Sequence, residues 1–141
     1  MTITVTVNKM VAIPEKTLNL LKAEGAVKAL ITADKTGLPH AIVCGSIIAP
    51  DANTVAVGEV LMKTSAANMK ANEKVAIMVN KGLEAYTING KVKTRLTEGP
   101  LFEGMKAELA KLKLPCFAVW VFDVCCVFDQ SANPAAGTKI A

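Results

Sequence analysis

Apolar positions along this chain change their spacing several times, and each change marks an element. Residues 17–24 set Leu18, Leu20 and Leu21 towards one side, open on Thr17 as a capping hydroxyl and stop at Gly25, which predicts a short amphipathic helix. Residues 26–33 and 40–48 are rich in Val and Ile and flank the turn-forming stretch Asp34-Lys-Thr-Gly-Leu-Pro39, the pattern of a β-hairpin. A turn at Pro50-Asp-Ala-Asn53 leads into a third strand over 54–58. Helix formers over 63–72, with Thr64 or Ser65 available as a cap, predict a second helix. Strands follow over 75–79 and 84–97, the longer one with a bulge expected at Asn89-Gly90. Leu101, Met105, Leu109 and Leu112 fall at helical spacing ahead of Pro115, so a third helix is expected over 101–113. Residues 116–128 are almost continuously apolar, as in a central or interface strand buried on both faces.

About six strands joined mostly by short links, with three helices between them, lack the βαβ rhythm of a doubly wound sheet. The expected fold is mainly β (α+β): an antiparallel barrel with peripheral helices. Residues 1–128 are read as one domain and residues 129–141, small and polar, as a loose C-terminal tail.

Composition narrows the function classes. With 52% hydrophobic and 20% charged residues in 141, the chain buries a core and is not disordered. Its most apolar stretch is broken by Asp123 and falls short of the roughly 20 residues a membrane helix needs. Residues 1–7 show no basic patch before an apolar run, so no secretory leader is expected and the cytoplasm is the expected location. The net charge is +4, but Arg95 is the only arginine beside fifteen scattered lysines, which argues against a nucleic-acid face. Cys44, Cys116, Cys125 and Cys126 show no metal-site spacing and His40 is the only histidine, so no metal site is expected. Cys125 and Cys126, as strand neighbours, are expected to point to opposite faces. No local pattern supplies His40 with an activated nucleophile and a carboxylate, and the acidic residues are dispersed, so no side-chain catalytic set emerges.

One segment carries chemistry. At Val57-Gly-Glu-Val-Leu-Met-Lys-Thr-Ser-Ala-Ala-Asn68 a strand ends at Gly58 and a helix begins near Lys63. Free amides, the positive end of the helix dipole, the Thr64 and Ser65 hydroxyls and the Lys63 ammonium converge there, as a phosphate requires. An ordinary helix start is the plainer reading. Met62 stands where a nucleoside-triphosphate loop has glycine, so that motif is absent.

The order of several short motifs is more specific than any one of them. Gly37-Leu-Pro-His40 before a strand, a strand ending near Gly58, Lys63-Thr64 with Asn68 one turn on, Asn72-Glu-Lys-Val-Ala-Ile-Met-Val79, Tyr86-Thr-Ile-Asn-Gly-Lys-Val92 and Thr97-Glu-Gly-Pro-Leu-Phe-Glu103 follow in sequence. Together, over residues 17–128, they resemble the pyridoxamine 5′-phosphate oxidase-like FMN-binding split-barrel flavoproteins, in particular the small FMN-binding members. The resemblance implies a six-stranded split barrel that forms a homodimer, with non-covalent FMN at the subunit interface. It assigns the FMN phosphate to Lys63 and Thr64, next to Ser65. It sets the isoalloxazine against Val43 and Cys44 and against the backbone of Gly58 and Glu59. The small members carry Asn-Thr-Trp where this chain has Val43-Cys44-Gly45, so flavin contacts there fall to the backbone.

Trp120 and Phe122 share a strand face, as core or as flavin contacts, and the strand over 117–128 is the candidate subunit interface. The implied function is an FMN-dependent oxidoreductase or electron carrier. Pyridoxamine-phosphate oxidation itself is disfavoured, because a second phosphate needs a cationic clamp and Arg95 stands alone. The alternative is a non-catalytic module on the same barrel for haem, F420 or another flat anion, with His40, Met62 or a cysteine as axial ligand to haem.

Overall fold

The computed structural model describes residues 10–141. The opening residues, on which the expected lack of a leader rests, lie outside the described residues. The elements run α1 (Glu15–Lys22), β1 (Val27–Ala33), β2 (Pro39–Val43), β3 (Ile48–Asp51), β4 (Thr54–Glu59), α2 (Lys63–Ala71), β5 (Lys74–Lys81), β6 (Glu84–Leu96), α3 (Pro100–Ala110), β7 (Ala118–Asp129) and β8 (Thr138–Lys139). All pairings are antiparallel, in the order β2-β1-β5-β6-β7-β4-β3, with β8 on β7. The two ends of this path, β2 and β3, are not bonded to each other. The expected antiparallel split barrel is thus observed, with more strands than the six expected.

Alternation decides what faces inward. Leu30, Val55, Val57, Ile77, Ile88, Phe122, Val124 and Val127 fill the barrel and are almost wholly shielded from solvent. Trp120 joins them, so it and Phe122 are core. A second cluster lies outside the barrel, where Phe102, Met105 and Leu109 of α3 cover Ala56, Val119 and Val121. Over its first half β7 is therefore buried on both faces by its own chain, one face in the barrel and one under α3.

Several expectations are corrected. The strand expected over 40–48 breaks after Val43: the Cys44 amide makes a last bond to the Lys28 carbonyl at 2.8 Å, Cys44 and Ile47 turn inward, and β3 begins at Ile48. Pro50 and Asp51 belong to β3, leaving a tight turn before β4. Helix α1 starts two residues early on Pro14, so Thr17 lies inside it with a buried, unpartnered hydroxyl. Helix α3 ends at Ala110, and Leu112 stands in solvent.

The tail is not loose. Asp129 and Ser131 are buried, β8 pairs with β7, and the Ile140 amide donates to the Val127 carbonyl at 2.8 Å. The register does break at Asn89/Gly90, but the extra residue is Cys125 on β7. Both Cys125 and Cys126 consequently face one outer groove between β1, β5, β6 and β7, rather than opposite faces.

Among the described residues no helix is long and apolar enough to cross a membrane. Gly90 sits where the bulge brings strands together, and a Cβ there would lie 3.0 Å from the Asp123 carbonyl oxygen, an atom fixed in the backbone. Gly90→Ala is expected to destabilise the protein by about 1–3 kcal/mol in denaturant unfolding.

Candidate functional site

Where β4 ends, three residues carry the chain into α2, and Met62 occupies the N-cap position with no side-chain cap. Thr64 and Ser65 therefore lie within the first turn and cap nothing. The Ala66 amide donates to the Met62 carbonyl at 2.8 Å, whereas the amides of Lys63, Thr64 and Ser65 have no acceptor among the described residues. A helix start with free donors and no carboxylate in its first turn favours an anion. Lys63 and Thr64 are exposed beside it; Ser65 is fully buried and its hydroxyl unpartnered.

Two clefts meet at this point. The smaller, about 390 Å³, is lined by Glu59, Lys63, Ala66 and Phe117, and the larger, about 900 Å³, lies between residues 42–48 and α3. Val60, Leu61 and Met62 line both, so the two clefts are neighbours on either side of this segment. The larger volume suits a cofactor-sized ligand. Val43, which stands 77% exposed on its lip, and the buried Cys44 both belong to its wall.

A polar network seals the split. The Cys44 thiol lies 3.3 Å from the Ser46 hydroxyl, which accepts the Gly58 amide at 3.2 Å and donates to the Gly58 carbonyl at 3.3 Å. Gly58 thus has both backbone groups engaged, and it does not line either cleft. Its missing side chain is required by α3, since a Cβ would meet Leu109 Cδ1 at 2.9 Å and Met105 Cγ at 3.0 Å. Behind Cys44, the Lys28 ammonium donates to the Ile47 carbonyl at 2.9 Å. Burial lowers the Lys28 pKa, and the nearby Cys44 only partly offsets this.

Glu59 is committed as well. Its carboxylate accepts two bonds from Arg95 at 3.1 Å each and one from Trp120 Nε1 at 2.8 Å, while the guanidinium lies 5.7 Å from the indole centre. Burial alone would push the Glu59 pKa up. Hydrogen bonds from Arg95 and Trp120, with the positive charges of Arg95 and Lys70, more than reverse this and hold it below the ordinary carboxylate value.

Of the seven candidate residues, Val43 and Cys44 line the larger cleft and Glu59 and Lys63 the smaller, whereas Thr64, exposed next to Lys63 in the chain, Gly58 and Ser65 line neither. His40 pairs with Thr32 on β1 and is not part of either wall. Ser46 and the α3 face were missed. Ser46 sits in an apolar run with no local signal, while Gly104, in the middle of a helical pattern, was a signal left unused.

The family model described as pyridoxamine 5′-phosphate oxidase matches residues 13–124. The chain belongs to this family. No curated protein matches it. Among solved structures, an FMN-binding protein from Syntrophomonas wolfei superposes with a TM-score of 0.76 at 20% identity, covering 84% of this chain and 86% of that one. HupZ from Group A Streptococcus reaches 0.73 at 23%, covering 89% and 99%. HutZ from Vibrio cholerae, a heme storage protein, reaches 0.62 at 14%, covering 86% and 97%. At these identities the likeness establishes the fold of the family, and the cofactor has to be argued from the cleft.

The Glu59 carboxyl supplies a pH test. Its pKa is depressed in the folded state, so the unfolded chain binds the proton more readily and acid erodes stability. The contribution is complete above the ordinary carboxylate pKa and lost as pH falls through the lowered folded value. Glu59→Gln is expected to be about 1–2 kcal/mol less stable than the parent at neutral pH. The two unfolding curves should converge in acid below that folded pKa.

Proposed function

We propose that this protein binds FMN non-covalently, with the phosphate at the start of α2 and the flavin ring in the larger cleft, and serves as an oxidoreductase or electron carrier. The observation that carries this reading is the set of three amides at Lys63, Thr64 and Ser65 that have no acceptor among the described residues, beside an exposed ammonium and hydroxyl and next to a largely apolar cleft. In this reading Lys63 and Thr64 bind the phosphate, Val43 and Cys44 flank the ring, and Met62 and Leu61 exclude water between the two ends. Ser46 already holds the Gly58 backbone, so its role is to fix the cleft wall. Glu59 and Arg95 neutralise each other at the edge of the phosphate seat. The redox chemistry is FMN's own when it is bound. Oxidation of pyridoxamine phosphate is disfavoured because Arg95, the one arginine, is held by Glu59.

The site is completed, in this proposal, by a second copy of the chain. Among the described residues no helix lies over one outer sheet face, whose outward rows are Val43, Ala29, Met78, Thr87 and Phe128, then Ala41, Ile31, Ala76, Asn89 and Cys126. These rows are largely apolar and end at Val43 on the cleft lip, so a copy seated there would reach the flavin edge. The strand over 117–128 contributes to this face only from its second half. All four cysteines are free, which supports a reducing compartment such as the cytoplasm.

A second reading, haem in the same cleft, rests on Cys44 and Met62, two soft donors in its wall. The visible spectrum of the isolated protein, or of protein reconstituted with each ligand, separates the readings: flavin bands are expected and a Soret band is not. Lys63→Ala should weaken FMN by about 1.5–3 kcal/mol, roughly ten- to hundredfold in Kd by flavin-fluorescence titration. An unaltered Kd would remove the phosphate from this seat. Met78→Lys should shift the protein from dimer to monomer in analytical ultracentrifugation.

A further inference from the structure

The large cleft is bounded on one side by α3. Its wall is formed by Leu101, Gly104, Met105 and Leu112, facing Ile42 and Ile48 across the opening. Among the described residues the only charged ones on the wall of this larger cleft are Glu108 and Lys111, and these pair with each other at 3.0 Å, both largely exposed. Lys63 lines the neighbouring smaller cleft and not this one, and Arg95 is held by Glu59 outside both.

Gly104 is the second observation. It lies within α3, where glycine is a poor helix former, and a Cβ built on it would meet no atom within 4 Å. Packing within the chain therefore does not require glycine at this position, unlike Gly58 and Gly90. Gly104 lines the large cleft, so a larger side chain at this position has open space to occupy beside it.

We propose that this compartment is a second binding site for an uncharged, flat aromatic molecule of the quinone class, admitted by Gly104. The inference rests on the flavin reading for its redox meaning, but the binding step does not depend on it. An apolar wall with its only charges mutually paired penalises an ionic ligand, which would lose its hydration without gaining a partner. The same wall accommodates a planar apolar ring.

The test uses the full chain loaded with FMN, menadione as probe and pyridoxamine 5′-phosphate as the charged comparison, with binding followed by equilibrium dialysis. Menadione is expected to bind and pyridoxamine 5′-phosphate is not. Gly104→Leu, which adds a side chain into open space, should weaken menadione roughly tenfold or more while leaving the FMN Kd unchanged. Gly104→Ala serves as the folding control and should melt no lower than the parent. Leu112→Lys, at an exposed cleft position, should weaken menadione as well. Failure of the parent protein to take up FMN would defeat the flavin reading alone. Uptake of FMN without menadione binding, menadione binding undiminished by Gly104→Leu, or equal binding of pyridoxamine 5′-phosphate would overturn the second site.

Discussion

The strand β7 is the constraint on which the rest depends. One edge pairs with β6 along almost its whole length. The other edge is used in series by β4, by the Asn53 carbonyl, by the Val11 amide and by residues 138–141. A central strand must place every backbone group this way, because an orphaned buried amide or carbonyl costs as much as the bond it lacks. The β7 side chains are correspondingly apolar on both faces over the first half, with Trp120 and Phe122 inside and Val119 and Val121 under α3. Both clusters of the protein therefore share one strand. Where α3 stops covering it, the outward positions become Asp123, Cys125 and Cys126, all only partly buried.

The barrel cannot close, and its opening is where ligand chemistry is possible. Strands β2 and β3 end the sheet path without pairing, so the end of β4 has an edge that no strand takes. Ser46 resolves this locally by engaging both backbone groups of Gly58 with one hydroxyl. Four residues after Gly58, at Met62, the chain leaves α2 without a side-chain cap. Among the described residues an unpaired sheet edge and an uncapped helix, each a defect in an idealised fold, are thus brought side by side near the two neighbouring clefts. Local departures of this kind are expected at functional sites.

Much of the architecture was legible because it rests on alternation and turn chemistry. Asp34 through Pro39 forms the hairpin turn, with the Asp34 carboxylate accepting from the Thr36 and Leu38 amides at 2.8 and 3.0 Å. The chain segment from Lys63 to Ala71 is helical as its composition suggests. Helix boundaries were less legible: Thr17, Thr64 and Ser65 have capping side chains, yet Pro14 and Met62 take those positions because the packing of Leu20, Leu21 and Met69 sets the helix phase. The C-terminal segment looked loose because its few side chains are small, while its attachment is through backbone bonds that composition does not reveal. At the site, Lys63 was legible from charge at a helix start. Gly58 and Ser65 were legible as residue types but not as positions, since α3 covers one and the helix interior hides the other. The partnership of Glu59 with Arg95 and Trp120 joins residues 36 and 61 positions apart, a separation that no local pattern encodes.

Trp120 is the only tryptophan in the chain, and its indole nitrogen is tied to the one carboxylate that borders the phosphate seat. The protein therefore carries a single indole fluorophore, bonded to a residue of its own pocket. A chromophore arriving there is expected to alter the emission of that one ring, so with excitation chosen to pass over Tyr86 occupancy can be read on the unlabelled molecule.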